Sequence, residues 1–261
     1  MPGPDAVARL VLEYDGGEFA GWARQPGRRT VQEEVERALS TMLRLDAVRL
    51  TVAGRTDAGV HAWAQIASYR GDPTPVASLN ALLPPDVVVR ECAAAAPGFD
   101  ARRDATSRAY CYRVLARAQR SPLDRGRVLH WPHRLDLAAL QECAAAVLGA
   151  HDFTAFTPTG GGHVHFVREV LVARWHAAPA SDVLELWIEA DAFMRHMNRV
   201  LVSTMLEVAG GRRALSDFVA LLDGSPRSAA GATAPPHGLY LAGVGYAGER
   251  VLGGLPGARG G

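Results

Sequence analysis

Ala53-Gly54-Arg55-Thr56-Asp57-Ala58-Gly59-Val60-His61-Ala62 gathers a guanidinium, a hydroxyl, a carboxylate and an imidazole around two glycines. A valine-rich run (Val48 to Ala53) precedes it and an alternating run (Ala64 to Tyr69) follows it. The pattern predicts a loop between two strands that presents Asp57 at a sheet end. Glycines there allow a sharp turn and a close approach by a ligand. A turn aspartate commonly satisfies only its own backbone, so the loop takes its meaning from the rest of the chain.

Upstream, Ala8, Leu10, Leu12 and Tyr14 alternate in a first strand that ends at Asp15-Gly16-Gly17. Thr30 with Glu33 has the spacing of a capping box, and Val31, Val35, Leu39, Met42 and Leu43 form a helical stripe behind it. Downstream, a short helix is predicted from Val76 to Leu83, stopped by Pro84-Pro85, and a strand from Asp86 to Ala93. The order of this half is β-α-β-β-α-β.

The order then repeats. A strand is predicted around Tyr110, Tyr112 and Val114, and a helix capped by Asp136 and ended by Gly149. A loop runs from His151 to Gly162, and two strands follow, Val167 to His176 and Val183 to Ala190. A long helix (about Met194 to Ala209), a short one (Leu215 to Leu222) and a strand (Leu239 to Tyr246) complete the second half. The expected fold is α+β: two ferredoxin-like or RRM-like halves forming a mixed, largely antiparallel sheet. Residues 1–103 and 104–248 are the expected halves, and the glycine-rich residues 249–261 a flexible tail. An open sheet face with aromatics and arginines suits RNA.

Net charge is +1, which announces no polyanion globally. All 28 basic residues are arginine, and nine of them against two aspartates fall between Ala101 and Arg134. That local excess points to a polyanion met on one face, or to a solvated arginine-rich surface. Cys92, Cys111 and Cys143 have no metal-ligand spacing, and three cysteines without a signal peptide point to a reducing cytoplasm. No apolar run is long enough to span a membrane. His151, His163 and His165 lack supporting carboxylates, so no metal site is expected there.

Gly54-Arg55-Thr56-Asp57-Ala58-Gly59-Val60-His61 resembles the signature of the tRNA pseudouridine synthase A family. The resemblance extends to Glu13-Tyr14-Asp15-Gly16, Gly21-Trp22, Thr30-Val31-Gln32-Glu33, Asn80 to Pro84 and Phe99 to Arg102. It continues through Arg108-Ala109-Tyr110-Cys111-Tyr112, His151 to Phe156, Phe193 to Arg199 and Gly238 to Leu241. Ala23, Asn198, Ser203 and the stretch from Gly160 to Val167 depart from the family pattern.

The resemblance implies a homodimeric, cytoplasmic isomerase that converts uridine to pseudouridine in the anticodon arm of tRNA. Positions 38, 39 and 40 are the implied targets, reached by base flipping and without cofactor or metal. It implies that Asp57 is the catalytic aspartate, Tyr110 the tyrosine that stacks on the base, and Arg199 the aspartate's basic partner, in a central cleft between the halves. Arg55 matches the arginine thought to take the flipped base's place. Thr56, His61, Arg24, Arg28, Arg102 and Arg108 are the further expected RNA contacts, with Arg29 and Arg103 as phosphate candidates.

The chemistry suits these residue types. One ionised carboxylate can serve as nucleophile, or as base at the sugar. A guanidinium holds it ionised against the effect of burial. A uridine in a stem must be flipped out, and an aromatic face can receive it. Tyr112 shares a strand face with Tyr110, and Arg195 lies one turn before Arg199, so spacing alone leaves both choices open. A catalytically silent RNA-binding protein is the main competing expectation. A hydrolase would need a second carboxylate that the motif lacks.

Overall fold

The structure, a computed structural model, describes residues 6–160, 164–178 and 181–254. His163, two of the three consecutive glycines, part of the 178–182 connector and residues 255–261 lie outside the described residues. The chain divides into two compact units, one of residues 1–106 with 240–249 and one of residues 107–239 with 250–261.

Unit 1 begins with β1 (Val7–Tyr14), whose even-numbered side chains are buried. Then come α1 (Val31–Leu43), β2 (Thr51–Val52), β3 (His61–Arg70), α2 (Val76–Asn80) and β4 (Val87–Ala94). β1 pairs antiparallel with both β3 and β4, and β2 pairs antiparallel with β3. The resulting order β4-β1-β3-β2 is that of a split β-α-β plan. β2 is shorter than the valine-rich run predicts because helix side chains take its backbone. Ser40 Oγ accepts the Val48 N–H at 3.0 Å, and the buried Glu36 accepts the Leu50 N–H at 3.0 Å. The capping box does not form. Thr30 is fully buried, its Oγ1 has no hydrogen-bond partner among the described residues, and Glu33 pairs with Arg24 instead.

Unit 2 takes β5 (Ala105–Leu115) from Ser107 onward. It continues with β6 (Leu129–His130), α3 (Leu137–Ala146), β7 (Gly149–Asp152), β8 (Val167–Ala177), β9 (Val183–Ala190), α4 (Met197–Ala209) and α5 (Leu215–Ala220). Its strand order is β5-β9-β8-β7, antiparallel throughout, with β6 parallel to β5. Asp136 caps α3 through the Ala138 and Ala139 N–H groups. Phe153, Phe156 and Phe218 meet edge-to-face beside α4, whose Met197, Val200 and Leu201 are fully buried. α4 starts three residues later than its apolar pattern suggests, because His196 takes a left-handed conformation (φ 62°) and breaks the turn.

Two further segments differ from the sequence expectation. β10 (Leu239–Tyr246), read as the last strand of the second half, runs parallel to β3 in unit 1, with Tyr240 opposite His61. Residues 250–254, expected within a flexible tail, form a turn docked on unit 2. Its Val251 and Leu252 N–H groups donate to Glu189 at 3.0 and 2.8 Å, and Leu252 is buried.

Candidate active site

The Asp57 loop is held by its backbone. Thr56 C=O accepts from Trp22 N–H, Phe19 C=O accepts from Gly59 N–H, and Asp57 C=O accepts from Val60 N–H. Two glycines make these approaches possible. Gly21 has φ 97°, and a Cβ there would lie 2.8 Å from Thr56 O; a Cβ on Gly16 would lie 2.0 Å from Val60 O. The paired Asp15-Gly16 and Gly21-Trp22 motifs are thus the clamp for a loop forty residues further on. Arg29 closes the same region, with a bidentate pair to Asp86 (2.6 and 2.8 Å) and its guanidinium over Phe19. Hydrogen bonding and attraction from Arg29 hold the Asp86 carboxyl below its usual range. Arg29 is thus tied into the packing around the loop.

Beneath the loop runs a chain of buried polar groups. Gln65 donates through Nε2 to Gly54 O at 2.7 Å and to the Tyr14 hydroxyl at 3.3 Å. The Tyr14 hydroxyl lies 2.8 Å from Thr56 Oγ1. Burial pushes the Tyr14 phenol up to about 12. Thr56 and His61, expected as RNA contacts, are 7% and 1% exposed and face inward polar partners. His61 Nδ1 lies 3.0 Å from both Gly16 N–H and Asp15 Oδ1. Both cannot be hydrogen bonds at once: a bare nitrogen accepts from Gly16, and a protonated one donates to Asp15. The ring stacks on Tyr240 at 4.7 Å, and Tyr240 stacks on Trp63 at 4.5 Å.

Asp57 itself is half-buried and Arg55 is exposed. Arg28 and Arg102 are exposed too. Arg24 is exposed and within ion-pair distance of Glu33 and Glu36. Arg103 is bound to Asp104 and Gly98 O.

Unit 2 carries the other expected residues. Tyr110 is 8% exposed, sits opposite Ile188 on β9, and meets the Phe193 ring edge-on at 5.1 Å. Tyr112 is a core residue. It is 1% exposed, its hydroxyl donates to Pro235 O at 2.8 Å, and Gly238 lies against its ring so closely that a Cβ would clash. Burial raises its phenol pKa. The structure thus separates two tyrosines that spacing alone leaves equivalent. Arg108 Nη1 donates to Asp191 O at 3.0 Å.

Arg199 is in the first turn of α4. Its Nε donates to Ala234 O at 2.7 Å, and its own C=O accepts from Ala234 N–H. A cation at the positive end of a helix is unfavourable by itself and favours an anion nearby. The same charge works against protonation of His237, whose pKa is lowered chiefly by burial. Arg195 is exposed, and its C=O accepts from Thr157 Oγ1.

Gln65, which joins Gly54 to Tyr14 beneath the loop, is a residue that the motifs passed over. The available signal was a glutamine in a mostly apolar strand, Ala62 to Tyr69.

A family model described as tRNA pseudouridine synthase matches residues 143–247. The chain is 45% identical over 244 residues to the tRNA pseudouridine synthase A of Frankia casuarinae, covering 91% of this chain and 88% of that one. It is 40% identical to that of Myxococcus xanthus, with 91% of each chain covered. It is 38% identical to that of a Geobacillus species, over 89% of this chain and 95% of the relative.

Proposed function

Because the chain belongs to the tRNA pseudouridine synthase A family, we propose that it isomerises uridine to pseudouridine in tRNA. The observation that carries this is the relationship over nearly the whole length of both chains, 45% identical in one case. We assign the reaction to Asp57 and the target to the anticodon arm, at positions 38, 39 and 40. Homodimeric assembly and a cytoplasmic location belong to the same proposal. Among the described residues no helix is long and apolar enough to cross a membrane.

The reaction breaks the N1–C1′ bond, turns the uracil, and rejoins it through C5, whose hydrogen is lost to solvent. Asp57 attacks the sugar or removes a proton from it, and either role requires the ionised carboxylate. Arg199 supplies the counter-charge that keeps it ionised. Tyr110 offers its ring to the flipped base, backed by Phe193. Arg55 takes the place of the flipped base, and the exposed arginines Arg24, Arg28 and Arg102 meet the RNA backbone, along with Arg108. His61 supports the loop from within, in keeping with its burial, and Thr56 ties the loop to Tyr14.

The target positions are tested with tRNA transcripts in which uridine 38, 39 or 40 is singly replaced by cytidine. Carbodiimide adducts that stop primer extension mark each pseudouridine. Each replacement should remove one stop and leave the others. Stops confined to other parts of the tRNA would overturn the anticodon assignment while leaving the isomerase intact. Salt-sensitive tRNA binding without any stop would favour the silent RNA-binding reading.

A further inference from the structure

We infer that Thr56 donates its hydroxyl hydrogen to an acceptor oxygen of the reacting nucleotide, and that Tyr14 and Gln65 fix the direction of that bond. This rests on Asp57 and its loop being the reaction centre.

The direction follows from counting hydrogens. Gly54 O can only accept, so the Gln65 atom 2.7 Å from it is the amide nitrogen. The second hydrogen of that nitrogen goes to the Tyr14 oxygen. Gln65 is fully buried and its Oε1 accepts from Ile66 N–H, which fixes the amide's orientation. Tyr14 is 3% exposed, and a buried phenol needs an acceptor for its own hydrogen. Among the described residues, Thr56 Oγ1, at 2.8 Å, is the acceptor within reach. The raised pKa of the phenol keeps that hydrogen in place at neutral pH.

Thr56 Oγ1 is thereby an acceptor toward Tyr14, and its single hydrogen must point away from it. Among the described residues, Tyr14 is the one hydrogen-bond partner of the Thr56 side chain. The result is a donor on a residue 7% exposed, one residue from Asp57, with its direction set from behind. Bonds passed from Gln65 through Tyr14 polarise the terminal O–H and strengthen it as a donor. A uridine nucleotide offers base carbonyl, ribose and phosphate oxygens to such a group. Thr56 is then a binding residue, and Tyr14 and Gln65 are positioning residues.

The test compares Thr56→Val, Thr56→Ser, Tyr14→Phe and the Tyr14→Phe/Thr56→Val double variant. Tritium release from tRNA transcripts labelled at uracil C5 gives kcat and KM across pH, and thermal melts follow the fold. Thr56→Val should lower kcat/KM by about tenfold to a hundredfold, and Thr56→Ser should recover most of it. Tyr14→Phe should lose less, and the double variant should lose no more than Thr56→Val alone. The pH dependence of the residual activity should not move.

Wild-type kcat/KM in Thr56→Val would overturn the inference, and so would a serine no better than valine. An acid limb shifted to higher pH in Thr56→Val would mean that the hydrogen serves the Asp57 carboxylate, and would overturn it equally. If Tyr14→Phe does not fold, the valine and serine variants decide alone. Asp57→Asn measured alongside separates the two claims. An active Asp57→Asn ends the reading of the loop as the reaction centre. An inactive one beside an unaffected Thr56→Val ends only the inference about Thr56.

Discussion

Asp57→Asn should lower turnover on tRNA by at least about a thousandfold while changing tRNA affinity by no more than about threefold. Asparagine keeps the size and hydrogen-bonding reach of the side chain and removes only the charge. The loop should survive the change, because its shape is set elsewhere. Trp22 N–H on Thr56 O, Gly59 N–H on Phe19 O and the close approach of Gly16 to Val60 are all backbone contacts. Tyr14, Thr56 and Gln65 hold the loop from below without the carboxylate. RNA affinity rests mainly on arginines and phosphates, which asparagine leaves alone. Equal losses in affinity and turnover would make Asp57 a docking residue. Unchanged turnover would remove it from the chemistry.

The second large effect concerns stability. Glu189 is fully buried on β9 and accepts from Ser107 Oγ, Val251 N–H and Leu252 N–H at 2.5, 3.0 and 2.8 Å. Glu189→Ala would leave a buried hydroxyl and two backbone donors without acceptors, together with the space of the lost side chain. Each abandoned donor costs about 1–3 kcal/mol, so a loss of about 3–5 kcal/mol in unfolding free energy is expected. Ser107→Ala removes one neutral donor and should cost about 1 kcal/mol. Urea unfolding of the two variants measures both. The change should also release the turn at residues 250–254, which faster amide exchange at Val251 and Leu252 would report. A Glu189→Ala protein as stable as the wild type would mean that this turn contributes nothing to the fold.

Much of this architecture is written in short-range pattern. The alternation of β1, the stripe of α1 and the Asp136 cap are local signals, and local hydrogen bonding and burial realise them. The misread features have long-range causes. The Thr30–Glu33 pair has the right spacing, but enclosure of Thr30 and the pull of Arg24 decide against a capping box. The run from Val48 is apolar enough for a strand, yet Ser40 and Glu36 capture its backbone. β10 is plainly a strand in sequence, but alternation does not say which strand it joins, and it joins β3. The turn at Leu252 depends on a carboxylate sixty-three residues away.

The candidate site divides along the same line. Asp57 stands out in the sequence because glycines and polar groups crowd around it. The difference in packing between Tyr110 and Tyr112 comes from Pro235 and Gly238, far away in sequence. The inward place of Thr56 and His61 needs Tyr14, Gly16 and Gln65, which are scattered through the strand pattern. Sequence spacing shows which residue types are available; burial shows which way each faces.

The central claim is that this chain isomerises uridine in tRNA, and with no methyl donor present release of the C5 hydrogen reports that reaction. Unmodified tRNA transcripts carrying tritium at uracil C5 should lose it to water in amounts stoichiometric with the target uridines when wild-type protein is added. No release from any tRNA would contradict the account.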